Sequence, residues 1–138
     1  MKRTVLGFLL FFVVFLGLFG CTVSRITAES LGQITFEVYD EDGEMVAQQE
    51  VDFESGDTLF GLLQETFTVY CGDSLGQPSE SCDYVGAYGV YIMGIGDVHA
   101  FETGTYIAFY INGEYATSGI DSMDIVDGNV YQFKYETY

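Results

Sequence analysis

Catalytic chemistry has few starting points in this chain. His99 is the single histidine, so any mechanism that needs an imidazole base must use it. Its neighbours, Asp97-Val98 and Ala100-Phe101, contain no nucleophile setting such as Gly-x-Ser-x-Gly, and His99 reads as a loop or surface residue. Carboxylates are the opposite case. With 21 Asp and Glu in one small domain, close pairs arise by chance and do not mark a glycosidase. The run Asp40-Glu41-Asp42-Gly43-Glu44 suggests calcium, but an EF-hand loop needs further spaced oxygen ligands closing on a bidentate Glu. The run reads as a solvated hairpin turn, with a weak divalent-cation site on the acidic surface as the alternative. The expectation is therefore no enzyme, no metal site and no cofactor.

Tyrosine is the more informative residue type. All 11 tyrosines lie beyond the apolar N-terminus, and Tyr84, Tyr88, Tyr91, Tyr106, Tyr110 and Tyr115 crowd the second half. A tyrosine offers a rigid flat face with a polar tip, which suits recognition surfaces. It is also a good strand former, so about half of these side chains are expected simply to flank or fill the core. In the stretch 106–111, alternation puts Ile107, Phe109 and Ile111 on a core face and Tyr106, Ala108 and Tyr110 on the other. The candidate ligand-binding set is Tyr88, Tyr91, Tyr106, Tyr110, Asn112 and Tyr115.

Three cysteines divide by position. Met1-Lys2-Arg3-Thr4 followed by an uncharged apolar run over 5–19 has the build of a secretory signal. Leu18-Phe19-Gly20-Cys21 is similar to the bacterial lipobox, in which the cysteine is lipidated and becomes the new N-terminus. Residues 1–20 are then the signal peptide, 21–32 a short tether, and 33–138 the domain. The implied location is the outer side of a cell membrane, held by a lipid on Cys21. Export leaves Cys71 and Cys82, which bracket a polar loop and are expected to form a disulfide. A zinc site there would need two further ligands, with His99 the only histidine on offer.

Charge removes one class of partner. The chain carries 4 Lys and Arg against its 21 acids, a formal charge of −17. Beyond Cys21 only Arg25 and Lys134 remain as bases. Phosphate neutralisation requires clustered bases, so nucleic acid is excluded. Aromatic content of 17% with one proline argues against disorder.

The elements that must position these residues follow from periodicity. Residues 33–40 alternate Ile34, Phe36 and Val38 against polar partners, and after the Gly43 turn a second strand returns over 45–53. Gly56-Asp57-Thr58 opens a helix, with Asp57 expected as its N-cap. Leu59, Leu62, Leu63 and Phe67 form its apolar stripe, and Gly61 is expected to mark close packing on the sheet. Glycines break 84–95 into short strand pieces. The strongest strand is 105–111, ending in Asn112-Gly113, a type I′ hairpin signal. A last strand over 130–136 follows the turn 126–129. The fold class is α+β: one helix packed on a mixed sheet.

These pieces resemble the DUF4430 family, also called the transcobalamin-like C-terminal domain. Gly56-Asp57-Thr58-Leu59-Phe60-Gly61-Leu62-Leu63 is similar to that family's helix entry, and 88–96 to its Tyr-Gly segment. The stretch 105–116 looks like its Asn-Gly hairpin, with Gly119-Ile120-Asp121 and 127–131 like its closing turns. The resemblance covers roughly 33–136. It implies a β-grasp-like fold, a secreted or lipoprotein module, and a corrinoid (cobalamin) as the ligand class. Ile107 stands where the family usually has Trp, and Asn129 where it has a second Asp. The functional expectation is a membrane-tethered, extracellular ligand-binding lipoprotein. The alternative is a structural or protein-interaction module of a cell-surface or transporter complex, with an envelope protein as partner.

Overall fold

Alternation of apolar residues builds the first hairpin. In the computed structural model, which describes residues 29–138, β1 (Gly32–Tyr39) buries Ile34, Phe36 and Val38. The signal segment 1–20, Cys21 and the tether as far as residue 28 lie outside the described residues. The Asp40 carboxylate accepts from the backbone N–H of Asp42 at 3.0 Å and of Glu44 at 2.9 Å. This acid therefore shapes an Asx turn, and the chain returns antiparallel as β2 (Met45–Phe53).

Helix α1 (Leu59–Thr66) buries Leu59, Leu62 and Leu63, as its stripe requires. Its cap differs from expectation. Thr58 is the N-cap, its hydroxyl accepting from the Gly61 N–H at 3.0 Å. The Asp57 carboxylate turns back instead to the Glu54 N–H at 2.7 Å. Both side chains can cap, and Thr58, in extended backbone with the helix starting immediately after it, holds the position. Gly61 likewise has a different neighbour: a Cβ there would stand 2.8 Å from the Thr58 hydroxyl, not against the sheet. Phe67 ends the helix in extended backbone and packs edge-on against Phe36, ring centroids 6.5 Å apart.

The remaining elements are β3 (Val69–Gly72), β4 (Pro78–Ser79), β5 (Ile92–Ile95), β6 (Val98–His99), β7 (Thr105–Ile111), β8 (Glu114–Tyr115), a 3-10 turn at Ile120–Ser122, and β9 (Val130–Thr137). The fold is α+β with one helix, but the strands divide into two sheets. The first has the order β2-β1-β9-β7-β8 and the second β4-β3-β5-β6. In the first, β9 runs parallel to β1 and antiparallel to β7, so the last strand is inserted beside the first. The entry of β1 is latched to the turn before β9: the Asp127 carboxylate accepts from the Gln33 N–H, and the Gln33 carbonyl accepts from the Gly128 N–H, both at 2.8 Å.

One core joins both sheets and the helix. Phe36 sits among Tyr131 and Phe133, its ring centroid 6.1 Å and 6.2 Å from theirs. Leu59 and Leu63 of α1, with Val69, Cys71 and Ile95 of the second sheet, complete it. Cys71 and Cys82 are disulfide-bonded across a separation of 11 positions. Inside that ring the Asp73 carboxylate repeats the Asx device, accepting from the Leu75 and Gln77 N–H groups at 2.8 Å. His99 is exposed on β6, stacked on Phe101 at 4.6 Å, with its Nε2 at 2.8 Å from the Gly96 carbonyl.

Candidate functional site

The strand register explains where the tyrosines go. On β7, Ile107, Phe109 and Ile111 oppose Tyr135, Phe133 and Tyr131 of β9 on the inner face. Tyr106, Ala108 and Tyr110 therefore share the outer face with Gln132, Lys134 and Glu136. The Tyr106 and Tyr110 hydroxyls both donate to the Glu136 carboxylate, one to each oxygen, at 2.7 Å. Ala108 lies between the two rings and is buried; its small side chain is what allows both phenols to converge over it. The bond to Glu136, reinforced by burial and by the carboxylate charge, pushes the Tyr106 phenol up to about 12 and raises that of Tyr110.

A second carboxylate organises the neighbouring strand. Glu37 on β1 accepts from the Tyr39 hydroxyl at 2.7 Å, the Gln132 amide at 2.9 Å and the Gln48 amide at 3.1 Å. Burial works against its charge, but these bonds and the Lys134 charge outweigh it and hold the carboxyl below the usual range. The Lys134 ammonium lies between two rings, 4.5 Å from the centroid of Tyr110 and 5.1 Å from that of Tyr39. Both distances fall within cation–π reach.

Beyond β8 this face gives way to a cleft of about 190 Å³. Tyr91, Tyr106 and Tyr115 line it, together with the apolar Val90, Ile107 and Phe109. The opening exists because β8 pairs with β7 only at Tyr110 and Ile111, leaving the first half of β7 facing the segment before β5. Burial, with Tyr138 and Tyr115 close by, raises the Tyr91 phenol. Tyr110 adjoins the cleft by an edge-on contact with Tyr115 at 5.2 Å, and Tyr138 by a tilted one with Tyr106 at 5.9 Å. Gly89 holds the segment against the 3-10 turn: the following N–H, of Val90, donates to the Asp121 carboxylate at 3.2 Å, and a side chain at Gly89 would collide with that carboxylate.

Of the six candidate residues, the structure brings four together: Tyr91, Tyr106 and Tyr115 in the cleft and Tyr110 against it. Tyr88 stands apart, 97% exposed on the loop before Gly89. Asn112 points elsewhere. Its amide donates to the Asn129 side chain at 3.0 Å and its carbonyl accepts from the Val130 N–H at 2.8 Å, tying the β7–β8 turn to β9. With Asn112 at φ 50° and Gly113 at φ 83°, this is the turn geometry that the Asn-Gly pair favours. Glu136, Lys134 and Tyr138 were not among the candidates. Alternation along β9 does place Gln132, Lys134 and Glu136 on one face, but only the β7–β9 register shows that this is the tyrosine face.

The fold and site together define a small two-sheet α+β domain with a tyrosine-lined cleft at the edge of its larger sheet. The chain belongs to the DUF4430 family, described as a domain of unknown function, whose model matches residues 56–137. Among solved structures it is similar to one from Ruminococcus gnavus ATCC 29149, a crystal structure at 1.30 Å of a "putative metal binding protein". The TM-score is 0.56 at 16% identity, over 78% of this chain and 98% of that one. Likeness at that identity speaks for the fold alone. No curated protein matches the sequence. Among the described residues no group of three or more His, Cys, Asp or Glu side chains is arranged to hold a metal ion, and no helix is long and apolar enough to cross a membrane.

Proposed function

We propose that this protein is a membrane-tethered, extracellular ligand-binding module without enzymatic activity, anchored through a lipid on Cys21, with the tyrosine cleft as its binding contact. The observation that carries this reading is the convergence of Tyr91, Tyr106 and Tyr115, from three separate segments, on one apolar opening. A reaction centre is not what such a lining offers: it contains no histidine, carboxylate, lysine or cysteine. The signal-like N-terminus and the disulfide fit an exported domain. The resemblance to transcobalamin-like domains makes a corrinoid the first ligand to try. The cleft is too small to enclose one, so a corrinoid would lie across the exposed rings with one face open to a second body. Equilibrium dialysis of the full-length chain in uncharged detergent against hydroxocobalamin and cobinamide tests this. Retention that is lost in Tyr91→Ala supports it, and no retention rejects the corrinoid.

One observation favours the alternative of a protein-interaction module in a surface or transporter complex. About 190 Å³ is below the roughly 300–1,000 Å³ usual for small-molecule pockets and suits a single inserted side chain. Co-purification of one envelope protein, abolished by Tyr115→Ala, would carry that reading instead.

A further inference from the structure

Resting on the reading that the cleft is the binding contact, we infer that the group it takes is a small quaternary ammonium cation, of the kind carried by choline. The lining itself is selective. Three tyrosines line the opening, and none of the lining residues is a carboxylate that could accept the N–H bonds of a primary ammonium; the nearby Glu136 carboxylate is occupied by the Tyr106 and Tyr110 hydroxyls. A trimethylammonium group has no N–H to satisfy, and its diffuse charge is what an aromatic wall holds best. No lysine, arginine or histidine lines the cleft to repel it.

The surroundings favour the same charge. Residues 29–138 hold all 21 acids and, as Lys or Arg, only Lys134, so the domain's field draws cations and repels anions. The Tyr106 hydroxyl also donates a short hydrogen bond to the Glu136 carboxylate, which leaves the phenol ring richer in electron density than that of a tyrosine bonded to water. The molecule already shows the interaction beside the cleft. The Lys134 ammonium rests over Tyr110, and Tyr110 packs against Tyr115 of the cleft. The same acidic field sets choline apart from glycine betaine, whose carboxylate would have to enter it.

Calorimetric titration of the full-length chain in uncharged detergent tests the inference, with three probes: choline, its neutral isostere bearing a tert-butyl group in place of trimethylammonium, and glycine betaine. Choline is expected to bind about tenfold or more tighter than the isostere, and to weaken as salt is raised. Tyr115→Leu is expected to lower choline affinity about tenfold and Tyr115→Phe to preserve it, since the ring and not the hydroxyl does the holding. Far-UV circular dichroism establishes that each variant is folded. Equal binding of choline and the isostere overturns the cationic ligand but leaves the cleft as a binding site. Absence of choline binding, with corrinoid retained in dialysis, overturns this inference alone. Choline binding untouched by Tyr115→Leu overturns both it and the cleft.

Discussion

Removal of the Cys71–Cys82 bond, by a Cys71→Ala/Cys82→Ala double substitution, is expected to lower stability by about 3–4 kcal/mol. The bond spans a separation of 11 positions, and closing a ring of that size removes about 3 kcal/mol of chain entropy from the unfolded state. Both sulfurs are also packed: Cys71 is fully buried and Cys82 is 8% exposed, so truncation adds a cavity contribution of order 1 kcal/mol. For a domain of this size each kcal/mol moves the unfolding midpoint by about 4 °C, which puts the expected fall at about 12–16 °C. Thermal unfolding followed by far-UV circular dichroism, in wild type and variant, measures it. The intact protein heated with and without reductant supplies the entropic part alone. A fall under about 4 °C would refute the reasoning. It would mean that the Asx turn at Asp73 and the β3–β4 pairing already confine the loop in the unfolded chain. Because the bond is buried, reduction of the folded protein requires local opening, and native reduction is expected to be slow.

Other outcomes follow from the same geometry. Thr58→Ala is expected to cost about 1 kcal/mol of stability through loss of the α1 cap, while Asp57→Ala costs less; a pair of urea unfolding curves that reverses this order would return the cap to Asp57. Phe36→Ala should destabilise by about 3–5 kcal/mol, whereas Tyr88→Ala, at a ring 97% exposed, should leave the unfolding midpoint unchanged. Alkaline difference absorbance should show Tyr106 ionising late, near its value of about 12. Its folded value lies above the ordinary one of about 10, so the stability it contributes is intact below pH 10 and is lost as pH rises through 12. Glu136→Gln should bring that ionisation back down, and an unchanged alkaline titration would place the cause elsewhere. Asn112→Gly keeps the turn conformation but removes two hydrogen bonds to the β9 side, so about 1–2 kcal/mol should be lost in chemical denaturation.

Much of the architecture was legible because period-two alternation and turn chemistry act locally. Ile34, Phe36 and Val38, the Gly43 turn, the leucine stripe of α1 and the Asn112-Gly113 hairpin all occur where neighbouring residues demand them. The two-sheet division was not legible, since β3, β4 and β6 are short and gain their pairing from partners distant in sequence. Thr58 and Asp57 illustrate a different limit: residue type alone does not rank two adjacent side chains with the same capping ability. At the site, Tyr106 and Tyr110 could be assigned to the outward face from alternation alone. Glu136 could not be joined to them, because which residue of β9 lies opposite is a matter of register. The Asn112 side-chain bonds to Asn129 and Val130, which tie two turns together, join residues distant in sequence and follow from the same register.

The parallel pairing of the first and last strands has a mechanical side. β1 enters at Gly32, beside the start of β9, and β9 leaves at the opposite end of the sheet. A pull entering through Gly32 and resisted beyond Thr137 would slide these strands along one another, loading the bonds between residues 35–39 and 130–134 together. Strands peeled from one end would instead yield one bond at a time. The Gln33 latch to Asp127 and Gly128 lies at the loaded corner. A force applied along this axis therefore meets the whole parallel pair at once, and the domain yields by shear and not by unzipping.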